Sequence, residues 1–176
     1  MPAFSTDAMT EHPFDFALAR SGGIAAYLRD DVLASAEAEL DALGYARARL
    51  QASGWAQEER LHEGFAATLS FPGYYGSNMN ALADCLGDVA CGSYGWDVNS
   101  TGLAVSIDGF GPFARQDGGL AHMVVDMLAG ASREGMLFGH RLLWLLHVDD
   151  PDFRMEPVGA VPVSWNGREW LDANRR

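Results

Sequence analysis

The sequence predicts an α/β fold, a small parallel β-sheet flanked by helices, and three observations carry that expectation. Arg141–Val148 reads R-L-L-W-L-L-H-V, a nearly continuous apolar run of the kind a strand shows when both faces of a parallel sheet are covered. Strand-like segments alternate with helix-like ones along the chain, the pattern of crossover units, which are right-handed by general rule. The chain has 176 residues, 48% hydrophobic and 20% charged, enough for one globular domain with a substantial core and too apolar for disorder.

Taken in order, residues 1–13 read as a loose, partly polar tail, and Phe14 to Leu18 as a short strand or the start of a packed segment. Ser21-Gly22-Gly23 is a turn and Ile24 to Leu28 a strand. Asp30 or Asp31 can cap a helix in which Leu33, Ala36, Leu40 and Leu43 recur at helical spacing, with Gly44 as its stop. Tyr45 to Gln51 alternates Ala46, Ala48 and Leu50 with Tyr45, Arg47 and Arg49, a strand with two unlike faces. A helix capped near Ser53 follows, lined inwardly by Leu61, Phe65 and Leu69. It ends at Phe71-Pro72, because the residue before a proline is pushed out of the helical region. Gly92 to Gly102 is a Gly/Ser-rich loop whose Tyr94 and Trp96 are expected to pack on the core. Leu103 to Ile107 is a strand, Asp108 to Pro112 a sharp turn, and Leu120 to Glu134 a helix with Leu120, Val124, Met127, Leu128 and Ala131 inward. Beyond Pro151, Val161 to Leu171 reads as a hairpin about Asn166-Gly167, a pair that suits a type I′ turn, with Trp165 and Trp170 packing it on the domain. The expected organisation is an N-terminal extension at 1–20, the α/β domain at 21–150, and a C-terminal extension packed on it at 151–176.

The stretch from Phe71 to Cys91 joins an aromatic turn to a helix with two different faces. Gly73 and Gly76 bracket Tyr74 and Tyr75, which suits a tight turn holding both rings outward. Ser77 or Asn78 can cap the helix by accepting from a free backbone N–H. Leu82, Cys85, Leu86 and Val89 fall on one apolar stripe, so that face is buried. The opposite stripe is Asn80, Ala83, Asp84 and Gly87: small, polar and partly acidic. It lacks the long charged side chains that ordinarily cover a solvated helix face. The tyrosines beside it are of the rigid aromatic type favoured as interface anchors.

The run F-P-G-Y-Y-G-S-N-M-N-A-L-A-D-C-L resembles the barstar family, whose members are protein inhibitors of barnase-type ribonucleases. The family pattern is an aliphatic residue or Phe, then Pro, an aromatic pair, Gly and Asn with variable residues between, then a helix reading D-A-L-x-D-C-L. Pro72, Tyr74, Tyr75, Gly76, Asn78, Ala81, Leu82, Asp84, Cys85 and Leu86 fit it. Asn80 stands where the family usually has an aspartate, and Ala83 where a large residue such as tryptophan is common. The region from Tyr45 to Val148 can be laid on the family's order of elements. The resemblance implies a small parallel sheet flanked by helices. It further implies that Asp84 enters the ribonuclease cleft, Tyr74 packs at the cleft edge, and Gly76, Asn78 and Met79 line the contact. Tyr75, Asn80, Ala83, Gly87 and Asp88 complete the expected partner-binding face, with Glu134 adding acidic charge from a neighbouring helix.

Charge and composition narrow the function. Twelve basic against 24 acidic residues give a net charge of -12, which repels nucleic acid and suits a partner with a basic cleft. No apolar run approaches a membrane span, and Met1 to Arg20 lacks the basic start and apolar core of a secretory signal. Cys85 and Cys91 face different directions, so a disulfide is not expected and a reducing cytoplasm is the simpler setting. His12, His62, His122, His140 and His147 form no metal-type pair, and there is no Walker loop or G-x-S-x-G. Asp84 and Asp88, one turn apart, offer a cation only two ligands. The expectation is a non-enzymatic, cofactor-free cytoplasmic inhibitor or immunity protein, monomeric when free, that occludes a barnase-type ribonuclease. The alternative is a barstar-like interaction module with a non-nuclease partner.

Overall fold

The computed structural model describes residues 3–11, 13–159 and 161–176. Of the features read from the sequence, His12 lies outside the described residues, as do Met1 and Pro2 of the tail. The helices are α1 (Thr6–Glu11), α2 (Phe14–Arg20), α3 (Asp30–Ala42), α4 (Glu58–Thr68), α5 (Met79–Cys91), α6 (Phe110–Gln116) and α7 (Gly118–Phe138). The strands are β1 (Ile24–Tyr27), β2 (Ala46–Gln51), β3 (Leu103–Asp108), β4 (Leu142–His147) and β5 (Ser164–Trp165). They form one sheet in the order β2-β3-β4-β1-β5, with every pair parallel. This is the expected α/β architecture.

Alternation along the strands decides which helices cover which face. Leu50, Val105, Ile107, Trp144, Leu146 and Ile24 point to one side, where they pack with α4, α5, α6 and α7 in the larger core. Ala25, Tyr27, Ala104, Leu143 and Leu145 point to the other, under α2 and α3. β4 is therefore buried on both faces, which is why its sequence is apolar at nearly every position.

Several expectations change in the structure, each for a physical reason. Phe14–Arg20 is a helix, not a strand, and Thr6–Glu11 within the expected loose tail is also helical. The alternation of F-D-F-A-L hides a buried acid: Asp15 accepts from Tyr45 Oη and Arg141 Nη1, both at 2.9 Å, so a polar residue faces inward there. The backbone N–H that α3 exposes first is not capped by Asp30 or Asp31. α4 begins at Glu58 because the chain first makes a turn that buries Trp55 against Phe65 and Phe113. The turn at Asp108–Pro112 becomes α6, since Pro112 sits in a first turn where its missing N–H costs nothing. α7 runs from Gly118, capped by Asp117 on Leu120 N, to a left-handed Gly139.

The C-terminal segment does not form the hairpin expected about Asn166-Gly167. Instead Ser164 and Trp165 lie parallel to β1, and both the backbone N–H and the side-chain amide of Asn166 donate to Ala26 O. A short isolated hairpin is marginal in water, whereas the open edge of β1 offers ready pairing. Buried Glu169 then accepts from Leu28 N at 3.1 Å and Arg29 N at 3.0 Å, closing the N-terminus of α3 from far along the chain. Trp165 is half-buried against Phe153 and under Arg175, but Trp170 is exposed.

Candidate partner-binding face

α5 is held from one side only. Leu82, Cys85, Leu86 and Val89 are buried as the spacing predicts, and Asn80, Ala83 and Asp84 are exposed on the far side, with Gly87 half-buried at the margin. The cap is Asn78: its Oδ1 accepts from Ala81 N at 3.0 Å while its Nδ2 donates to Gly76 O at 3.1 Å. One amide thus fixes both the helix start and the loop before it.

That loop is bracketed by two non-glycine residues in the left-handed region, Ser70 at φ 54° and Ser77 at φ 45°. Within it the two tyrosines part company, which corrects the expectation that both rings point outward. Tyr74 is 80% exposed. Tyr75 turns in, edge-on to Phe71 at 4.9 Å, with its hydroxyl 2.5 Å from Nδ1 of buried His62. The other ring nitrogen of His62 lies 3.2 Å from Glu58 Oε1. A carboxylate only accepts, so with a neutral imidazole Nε2–H donates to Glu58 and Nδ1 accepts from Tyr75 Oη. Burial, then Cys85 and Glu58, push the Tyr75 phenol up to about 12, so it remains a donor. Sequence reasoning missed this anchor; the only hint was the four-residue spacing of Glu58 and His62 on one helix.

The remaining expected residues divide in the same way. Met79 is half-buried against the main core. Asp88 is half-buried and accepts from Tyr94 Oη at 3.3 Å, while Trp96 Nε1 donates to Val89 O at 2.9 Å, so both loop aromatics fasten the end of α5. Glu134 on α7 comes to the margin of the face: a Cβ added at Gly87 would lie 3.3 Å from its Oε2. The Cys91 thiol is pushed up by burial, then by Glu134 and Asp88, so three acids, with Asp84, gather along this side of α5. Asp84 and Glu134 are exposed and make no hydrogen bond or ion pair among the described residues. Tyr74, Asn80, Ala83, Asp84 and Glu134 are thus open to a partner. Tyr75, Asn78, Met79 and Asp88 hold the platform, and Gly76 is exposed at the bend between the two groups.

Both cysteine thiols are free. Among the described residues no group of three or more His, Cys, Asp or Glu side chains is arranged to hold a metal ion, and no helix is long and apolar enough to cross a membrane.

A parallel α/β layer here presents an ordered aromatic loop and a partly acidic helix face to solvent. The sequence model of the family described as Barstar (barnase inhibitor) matches residues 45–146, more than half of the chain, and the chain belongs to that family. Comparison with individual curated proteins gave no match. The matched stretch covers β2, α4, α5, β3, α6, α7 and nearly all of β4, whereas β1, α3 and β5 lie outside it.

Proposed function

We propose that this chain inhibits a barnase-type ribonuclease by setting the exposed face of α5 and the tip of the preceding loop into the enzyme's phosphate-binding cleft. The observation that supports this most is Asp84, an unpaired carboxylate on the second turn of a helix whose opposite side is locked into the core. A ribonuclease cleft holds phosphate with cationic side chains, and a carboxylate can take that place through charge-assisted hydrogen bonds. The Asn78 cap and the Glu58–His62–Tyr75 chain order the loop beforehand, so docking loses little conformational entropy. The net charge of -12 steers the chain towards a basic partner. In this reading the chain performs no chemistry, acts in the cytoplasm and is monomeric when free. Residues 21–150 form the inhibitory domain, with 1–20 and 151–176 as additions away from α5.

The test is RNA cleavage by a panel of barnase-type ribonucleases titrated with the purified chain. Stoichiometric loss of activity with one member, abolished by Asp84→Ala without loss of fold, is the expected outcome. Full inhibition by Asp84→Ala would remove the mechanism.

A second reading, a module docking on a non-nuclease protein, is favoured by one observation. Asn80 and Ala83, the two departures from the family pattern, are both exposed on the docking face, so they alter what the face recognises and not how it folds. Inhibition of no ribonuclease in the panel would favour it.

A further inference from the structure

The end of α7 carries two large apolar side chains that the fold does not use. Leu137 is 85% exposed and Phe138 52%, and both stand outside the two hydrophobic cores. They occupy the last turn before the left-handed Gly139. A Lys or Arg there would favour the helix dipole and the solvation of the surface, yet that turn has no basic residue. No residue from Gly135 to Gly139 is charged. Val98, on the loop after α5, is 46% exposed and also outside both cores. A Cβ on Gly92, which caps the end of α5, would stand 2.6 Å from Val98 Cγ1 and 2.9 Å from the ring of His140, two positions after Phe138. Single exposed apolar residues are ordinary, but a group of them at one place marks a contact surface.

This apolar shoulder continues the α5 face. Glu134, at the margin of that face, lies three and four positions before Leu137 and Phe138, so the three are neighbours on one side of α7. His140 Nδ1 lies 2.9 Å from Ala90 O, which ties the end of α7 to the last turn of α5. From Asp84 to the end of α5 at Cys91 is only about 10 Å along the helix. A stable interface covers about 800 Å² of each partner, a disc of about 16 Å radius. A contact centred near Asp84 and Glu134 therefore takes in the shoulder. Interfaces also combine an apolar centre with a polar rim. Apart from Tyr74, the open residues of the α5 face are small or polar, so further apolar contact has to come from beside them.

We propose that the ribonuclease docked on α5 also rests on Leu137, Phe138 and Val98, and that it carries an apolar patch beside its phosphate-binding cleft. This rests on the inhibitory reading and adds a requirement on the partner. The carboxylates of Asp84 and Glu134 meet the cationic cleft, and the shoulder selects among ribonucleases by what borders that cleft. A basic enzyme whose cleft is ringed by charge alone would bury Leu137 and Phe138 against polar groups and lose affinity.

The experiment measures inhibition constants against the panel of barnase-type ribonucleases described above. The proteins are the wild type, Leu137→Ser/Phe138→Ser, Val98→Ser, Asp84→Ala and, as control, Leu171→Ser, which alters an exposed leucine of the C-terminal segment. The double variant should inhibit at least about tenfold more weakly, chiefly through faster dissociation, and Val98→Ser about threefold more weakly. The loss in the double variant should keep its size from low to high salt, since an apolar contact is not screened. Leu171→Ser should inhibit as the wild type does. All melting midpoints should stay within about 2 °C, because each site is exposed. Sedimentation of the free wild type should show a monomer. A double variant that inhibits as well as the wild type, with Asp84→Ala inactive, overturns the shoulder and leaves the inhibitory reading standing. Inhibition of no ribonuclease removes both. A wild-type dimer that the double variant disperses would give the shoulder to a second copy of the chain and overturn the proposal.

Discussion

Gly87 on α5 and Glu134 on α7 meet where the two helices pack, so that a methyl group at position 87 would stand 3.3 Å from Glu134 Oε2. The lack of a side chain at Gly87 leaves room for a carboxylate from another helix beside the exposed face of α5. The neighbour is the end of a flexible side chain, so the contact is relieved by moving the carboxylate and not by moving a helix. Gly87→Ala is therefore expected to leave stability unchanged or raise it by up to about 1 kcal/mol, because alanine is the better helix former. Inhibition of the cognate ribonuclease should weaken, and Glu134→Gln should weaken it too, with stability within about 0.5 kcal/mol. Paired urea denaturation and inhibition titrations check this. Unchanged inhibition by both variants would take Glu134 out of the contact.

The two tyrosines of the loop should give opposite results. Tyr74 is 80% exposed, so Tyr74→Ala should change stability by no more than about 0.5 kcal/mol while costing more than about 1 kcal/mol in ribonuclease binding. Tyr75→Phe removes the partner of a buried imidazole nitrogen, at a cost of about 1–3 kcal/mol in folding. Urea midpoints and inhibition constants separate the two effects. Were Tyr75→Phe as stable as the wild type, His62 would not be the anchor of the loop.

This contrast also shows what the sequence could and could not reveal. The burial of Leu82, Cys85, Leu86 and Val89 follows from spacing alone, and side-chain chemistry narrows the cap to Ser77 or Asn78, of which the structure uses Asn78, because both are settled within a few residues. The two-sided burial of Leu142–His147 is legible for the same reason. The inward turn of Tyr75 depends on His62, thirteen positions away on α4. The nearness of Glu134 to Gly87 depends on how α5 and α7 cross. Asp15 disguised α2 as a strand because its partners, Tyr45 and Arg141, lie 30 and 126 residues away. The pairing of β5 with β1 hides equally well, since Asn166 bonds to Ala26 across 140 positions. Local chemistry is visible in one sequence; a buried polar group's distant partner is not.

Glu37 supplies a pH-dependent contribution to stability. It is buried on α3, with Arg49 Nη2 at 2.6 Å, Arg47 Nη2 at 2.8 Å, and the Ser106 hydroxyl donating to it. Burial pushes its carboxyl up, but Ser106, Arg47 and Arg49 outweigh that and hold it below the ordinary 4.5. A folded value below the unfolded one means that the stabilisation is fully present above the unfolded value and is lost as pH falls through the folded one. Glu37→Gln is expected to cost about 1–3 kcal/mol near neutrality. The gap from the wild type should hold down to about pH 4.5 and narrow below it. Urea unfolding of both proteins over that range is the measurement. A gap that widens below about pH 4 would reverse the sign argued here.

Glu169 tests whether the C-terminal segment is part of the folding unit or an ornament on it. Its carboxylate takes Leu28 N at 3.1 Å, Arg29 N at 3.0 Å and Asn166 Nδ2 at 2.5 Å, joining the end of β1, the start of α3 and the turn after β5. Glu169→Ala strands three donors in or beside a buried site, and a loss of about 2–4 kcal/mol is expected. Glu169→Gln should recover only part of it, because an amide brings one acceptor and a new donor to a place that has donors already. None of the hydrogen-bond partners of Glu169 lies on α5 or its loop, so inhibition by either variant should match the wild type at temperatures where it remains folded. Thermal melts followed by inhibition titrations below the melting range decide the matter. A Glu169→Ala protein as stable as the wild type would show that the strap merely lies on β1. A stable variant that fails to inhibit would connect this edge of the sheet to the proposed docking face, although no partner of Glu169 lies there.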